Sequence, residues 1–68
     1  MREGRVVAFD SQRGLGEIHD GSGRAYPFHC TKIADGTREV PVGAAVEFRL
    51  APGPLGRWEA VEIRRRPS

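Results

Sequence analysis

Apolar residues along this chain recur in short alternating runs punctuated by glycine, proline and aspartate, and nowhere do they hold a helical spacing over ten residues. Gly4–Asp10 (GRVVAFD) is rich in β-branched and aromatic side chains. Its period-two alternation sets Val6 and Ala8 against Val7 and Phe9. Asp10–Gly14 reads as a turn, Leu15–Asp20 (LGEIHD) as a second strand, and Gly21–Gly23 as a tight hairpin connection. Arg24–His29 (RAYPFH) makes a third strand, with Tyr26 and Phe28 on one face and Pro27 and His29 on the other. Cys30–Ala34 has the length of a single helical turn, and Asp35–Gly43 carries the loop signals DG, VP and VG. Ala45–Ala51 alternates Val46, Phe48 and Leu50 with Glu47 and Arg49. After a turn at Pro52–Gly56, Arg57–Ile63 (RWEAVEI) is the last strand, with Ala60 as a small inward residue.

Five short strands joined by glycine-rich turns predict an all-β fold, a small five-stranded antiparallel barrel. Its inward set is Val6, Ile18, Tyr26, Phe28, Ile33, Val46, Phe48, Leu50 and Ile63. Residues 1–63 form the domain, and 64–68 form a basic flexible tail outside the core, whose removal is expected to leave stability nearly unchanged. No internal repeat or low-complexity segment interrupts the chain.

Sixty-eight residues make one domain near the lower limit for an unaided apolar core, which excludes a second domain and a large buried active site. The single Cys30 forms no intrachain disulfide, in keeping with a reducing compartment. No apolar run is long enough to cross a membrane, and the charged start MREGRVV lacks a signal-peptide core. A cytoplasmic location without membrane contact is therefore expected. The net charge of +2 is uneven. Three of the eleven basic residues, Arg64, Arg65 and Arg66, fall in the last five positions, which leaves eight basic against nine acidic side chains in residues 1–63. The pI near 9.3 thus belongs to the tail, and the body is close to neutral.

Across most of its length the chain resembles the cold-shock domain family, whose first three strands read roughly G-x-V-K-W-F-[ND], K-G-F-G-F-I and V-F-V-H-F. Gly4, Val6, Phe9 and Asp10 match the first strand; Arg13, Gly14, Gly16 and Ile18 the second; His29 the third. Ile33, Val46, Phe48, Gly53, Gly56, Ala60 and Ile63 continue the match, with residues 1–33 aligning without a gap. The resemblance implies an OB-fold barrel that binds single-stranded RNA or DNA. The departures fall on the binding residues. The family's first-strand Trp is Ala8, its two second-strand Phe residues are Leu15 and Glu17, its outward third-strand Phe is Pro27, and the Phe after the His is Cys30. The loop around Thr37 offers no aromatic in exchange. Each base stacked on an aromatic contributes about 1–3 kcal/mol, so the loss of several platforms depletes the affinity, and Glu17 adds a charge of the wrong sign.

Two uses compete for most of the remaining residues. Gly14 and Gly16 would admit a base or phosphate to the backbone, or serve the bend of a coiled barrel strand; we read them as architectural. His29 would stack on a base or donate to a phosphate, or simply be exposed, and both readings stand. Trp58, with Arg57 beside it, is either a replacement platform or a cap that packs on the Pro-Gly-Pro turn at the open end of the barrel; the cap is preferred. The Arg64–Arg66 run is a solvated segment with modest attraction for phosphate.

Cys30, His29 and His19 lack metal-ligand spacing, so no metal or other cofactor is expected. No nucleophile–base arrangement has local support, adjacent strand residues such as His29 and Cys30 point to opposite faces, and the chain is not read as an enzyme. The function expected is weak binding of single-stranded nucleic acid by a monomer, with little sequence preference. Phe9, Leu15, His29 and Trp58 would supply contact surface, and Arg13, Lys32 and Arg57 would meet phosphates. The alternative is a cold-shock barrel that has abandoned nucleic acid and binds protein.

Overall fold

Three aspartates fix the turns. The Asp10 carboxylate accepts the backbone N–H groups of Gln12 (3.0 Å) and Arg13 (3.2 Å), and Asp35 accepts the N–H and hydroxyl of Thr37. Asp20 accepts the N–H and hydroxyl of Ser22, the N–H of Arg24 and the Tyr26 hydroxyl. Each carboxylate bonds the backbone two residues on, the local geometry for which Asp is favoured at turns.

Between these turns the computed structural model, which describes residues 1–53 and 56–66, has five strands. They are β1 (Arg2–Asp10), β2 (Leu15–Asp20), β3 (Ala25–His29), β4 (Ala45–Pro52) and β5 (Trp58–Arg65), with a 3-10 turn at Cys30–Lys32 after β3. All pairings within the sheet are antiparallel, in the order β3-β2-β1-β4-β5. The segment that follows β3 and the 3-10 turn meets β5, where Ile33 bridges Ile63 in parallel and the Ala34 N–H donates to the Ile63 carbonyl at 2.8 Å. This is the five-stranded OB-fold barrel. No helix among the described residues is long and apolar enough to cross a membrane.

The core consists of Val6, Ile18, Tyr26, Phe28, Ile33, Val40, Val46, Phe48, Ala60 and Ile63. Apart from Ala60, read as a small inward residue of the last strand, two residues differ from the inward set. Leu50 is only partly buried, because β4 is leaving the barrel toward Pro52. Val40, in the loop before β4, is 3% exposed and belongs to the core.

Two departures from strict alternation shape the barrel. In β1 the register shifts between Val6 and Ala8: Val6 faces Ile18, Ala8 faces Glu17 and Phe9 faces Gly16. Val7 is the extra residue of a bulge, so Val6 and Phe9 share the inner face, whereas period two sets them on opposite faces. In β5 a second bulge lies opposite Phe48. Glu62 adopts φ +49°, and Ala60 and Ile63 both turn inward despite their spacing of three.

The C-terminal boundary also moves. Arg64 and Arg65 are strand residues opposite Glu47 and Val46, and the Arg66 N–H donates to the Ala45 carbonyl at 2.9 Å. Arg66 further pairs with Glu3 at 3.1 Å. The ladder with β4 thus continues past Ile63, where the sequence suggests a tail; Pro67 and Ser68 lie outside the described residues.

Candidate nucleic-acid interface

The outward face of β1, β2 and β3 is built in rows by cross-strand pairing. One row is Asp10–Leu15–His29, the next Ala8–Glu17–Pro27, and the third Arg5–His19–Ala25. Side chains facing one another in adjacent antiparallel strands lie about 4.5–5.5 Å apart at Cβ, close enough for each row to act as one surface.

The first row offers the most contact surface. Leu15 is 47% exposed, and His29, directly opposite it on β3, is exposed as well. His29 ends β3 and caps the 3-10 turn: its Nδ1 accepts the Thr31 N–H at 3.3 Å and lies 2.9 Å from the Thr31 hydroxyl. A neutral ring with Nδ1 accepting carries its proton on Nε2, so the free edge of the imidazole is a donor. That edge is left open by Gly14, where a side chain would come within 3.7 Å of Nε2 and 2.8 Å of Cys30 Sγ. Gly14 is also left-handed, with φ +68°, and its carbonyl accepts the Cys30 N–H at 2.7 Å. The turn therefore needs glycine to bring β2 and the end of β3 together. Arg13 is exposed in the same turn, two residues from Leu15.

The middle row is unfavourable to a polyanion. Glu17 Oε1 lies 3.0 Å from His19 Nε2 on the same strand, between the small apolar surfaces of Ala8 and Pro27. His19 is thus engaged away from His29. Cys30 does not point opposite to His29, because β3 ends and the chain turns between them; its Sγ lies 3.9 Å from His29 Nδ1. That nitrogen is already taken by Thr31.

The other residues expected at the interface are dispersed. The β1 bulge turns Phe9 inward, where it stacks on Phe28 at 6.0 Å. What remains accessible of Phe9 opens into a pocket with Asp35, Thr37, Glu39 and Arg65, not onto the outward rows. Lys32, at the end of the 3-10 turn, is exposed and borders a groove with Val61 and Glu62. Arg57 and Trp58 lie at the opposite end of the barrel from Leu15 and His29. Trp58 pairs with Pro52 and is 57% exposed, so it does not plug the open end. Pro54 and Leu55 of the turn expected beneath it lie outside the described residues.

Around Trp58 the fold gathers residues that strand patterns did not single out: Arg2, Arg24 and Arg49, with Tyr26 and Phe48 behind them. With Trp58 they come from four strands or their ends, β1, β3, β4 and β5. Only the β1–β4 register, which sets Arg2 opposite Phe48, would have signalled it.

No protein-family model matches the chain. Cold shock protein 1 of Arabidopsis thaliana is 34% identical over 62 residues, a match covering 88% of this chain and 21% of the relative. Among solved structures, Drosophila Unr CSD456 superposes with a TM-score of 0.79 at 24% identity, over 97% of this chain and 26% of that one. The chain therefore spans about a fifth of the length of the curated relative and about a quarter of the solved chain. Strand order, inward residues and these two likenesses agree, and the chain belongs to the cold-shock domain family.

Proposed function

We infer that this domain binds single-stranded nucleic acid, RNA or DNA, weakly and with little sequence preference, at the Leu15–His29 end of its outward face. The observation that carries the reading is the direct pairing of exposed Leu15 with exposed His29, whose free Nε2 edge is a donor, beside Arg13. An apolar surface of this size supports a base less well than a phenyl ring does, whereas the imidazole edge and the guanidinium suit phosphate or base-edge oxygens. Lys32 adds charge near the end of β3. Binding is the whole activity in this reading: no chemical step and no cofactor is involved, and the domain works as a cytoplasmic monomer.

A second reading, a protein-binding barrel without nucleic-acid affinity, is favoured by one observation. The centre of the face holds the Glu17–His19 pair where a polyanion would be repelled. Fluorescence anisotropy with labelled single-stranded RNA, single-stranded DNA and duplex DNA, at low and at physiological salt, separates the two. Nucleic-acid binding predicts single strands held with a Kd of roughly tens of micromolar or weaker at physiological salt, tighter at low salt, and in preference to duplex. Absence of single-strand binding at low salt would leave the protein-binding reading.

A further inference from the structure

The open end of the barrel at Trp58 lies beyond the far end of β3 from His29. Arg24 and His29 are five residues apart, roughly 16 Å at the rise of a strand. The cleft there has a volume of about 640 Å³, within the roughly 300–1,000 Å³ of small-molecule sites. Tyr26 and Phe48, tilted against each other at 5.8 Å, form its floor, and the exposed indole of Trp58 forms a wall. Arg2, Arg24 and Arg49 stand at its rim, and no carboxylate among the described residues lines it.

The charges are available to a ligand. None of the ion pairs among the described residues involves Arg2 or Arg24, and both are exposed. Arg49 is shared with Glu62, at 3.0 Å between two exposed side chains, a pairing of little strength. The Asp20 carboxylate behind Tyr26 is held in the hairpin turn by Ser22 and the Arg24 N–H, and it does not border the cleft. An exposed indole beside several guanidinium forks matches a planar base that carries a phosphate, since stacking takes the ring and the forks take the anion.

We propose that this cleft is a second binding site, separate from the Leu15–His29 surface, for one nucleotide unit: its base stacks on Trp58 and its phosphate lies between Arg2 and Arg24. The site does not depend on nucleic-acid binding at the other end. A free mononucleotide and one nucleotide of a longer strand present the same groups.

Trp58 is the sole tryptophan, so its emission reports on this cleft alone. The full 68-residue chain is titrated with adenosine 5′-monophosphate, with a short single-stranded oligonucleotide and with inorganic phosphate. Saturable quenching by the mononucleotide, weakened about threefold by Arg24→Ala or by Arg2→Gln, supports a site for free nucleotides. Saturable quenching by the oligonucleotide alone, with the same sensitivity to Arg24→Ala, supports a site for one nucleotide of a strand. Both substitutions replace exposed residues, and an unchanged melting temperature establishes that the fold is intact. Trp58→Ala is expected to weaken binding about tenfold, read by calorimetry. The proposal is overturned if neither nucleotide quenches saturably, or if quenching is indifferent to both arginine substitutions. It is likewise overturned if inorganic phosphate competes as well as the mononucleotide, or if Leu15→Ala abolishes the Trp58 signal.

Discussion

The rings of Phe9 and Phe28 lie 6.0 Å apart and 9° from parallel, and they meet over Gly16, which pairs with both residues across two strand boundaries. A methyl group at position 16 would strike the Phe28 ring and approach the Ala8 carbonyl oxygen at 3.0 Å. The second glycine of the G-x-G motif is therefore required by the packing beneath the sheet. Overpacking of this kind costs about 1–3 kcal/mol, so Gly16→Ala is expected to lower the melting temperature by roughly 5–20 °C in a domain of this size. A melt within a degree or two of the wild type would show that the phenyl stack is not tight.

Asp20 gives the fold a pH dependence. The Ser22 hydroxyl above all, then the N–H groups of Arg24 and Ser22 and the Tyr26 hydroxyl, hold its carboxyl at a pKa of about 2 against the ordinary 3.8; partial desolvation acts the other way. A depressed native pKa means that the ionised form is stabilised by folding. The contribution is complete above 3.8 and is lost as the pH falls through about 2. Urea midpoints recorded from about pH 6 down to about pH 2.5 should fall more steeply for the wild type than for Asp20→Asn. Equal slopes would remove Asp20 as a source of acid sensitivity.

Arg64 and Arg65 pair with Glu47 and Val46, and Arg66 with Ala45 and Glu3. Ending the chain at Ile63 therefore strips the last pairs of the β4–β5 ladder and several hydrogen bonds, each with a net worth of about 0.5–1.5 kcal/mol. We expect a destabilisation of about 2 kcal/mol or more, measured by urea unfolding. Substituting Arg64 and Arg65 by Gln, which keeps the backbone, should cost far less. A truncated chain as stable as the full one would contradict the strand assignment at this end.

Much of the fold is legible in the residues: the five strands, the turn aspartates and most of the core follow from short alternation and turn chemistry. The failures have two physical sources, bulges and strand register. A bulge inserts one residue into the period of two, so Phe9, read as outward, turns in beside Val6. Register is likewise invisible locally. Ala45–Ala51 alternates cleanly, yet nothing in it says that Phe48 will face Arg2, and so the basic rim around Trp58 goes unread. At the outward face the sequence places Leu15 and His29 on matched strands. Their direct pairing, and the engagement of His29 Nδ1 by Thr31, emerge only from the folded chain.

Restoring aromatics tests whether the outward face still works as a groove. Leu15→Phe with Glu17→Phe places one ring opposite His29 and another between Ala8 and Pro27, where neighbouring side chains are small. It also removes the negative charge beside His19. Affinity for a short single strand should rise by at least about tenfold, or about 1.4 kcal/mol. An unchanged affinity with an intact circular dichroism spectrum would mean that the face no longer accepts bases.

The most direct measurement is an amide chemical-shift titration of the isotopically labelled domain with a short single-stranded oligonucleotide, repeated with Leu15→Ala. Binding at the Leu15–His29 end predicts that the largest shifts fall on Arg13 to Leu15 and on His29 to Lys32. Fast exchange should accompany them, with a Kd of roughly tens of micromolar or weaker, and both should diminish in the variant. Shifts absent from these two segments, or a low-nanomolar Kd indifferent to Leu15→Ala, would contradict the assignment of this surface.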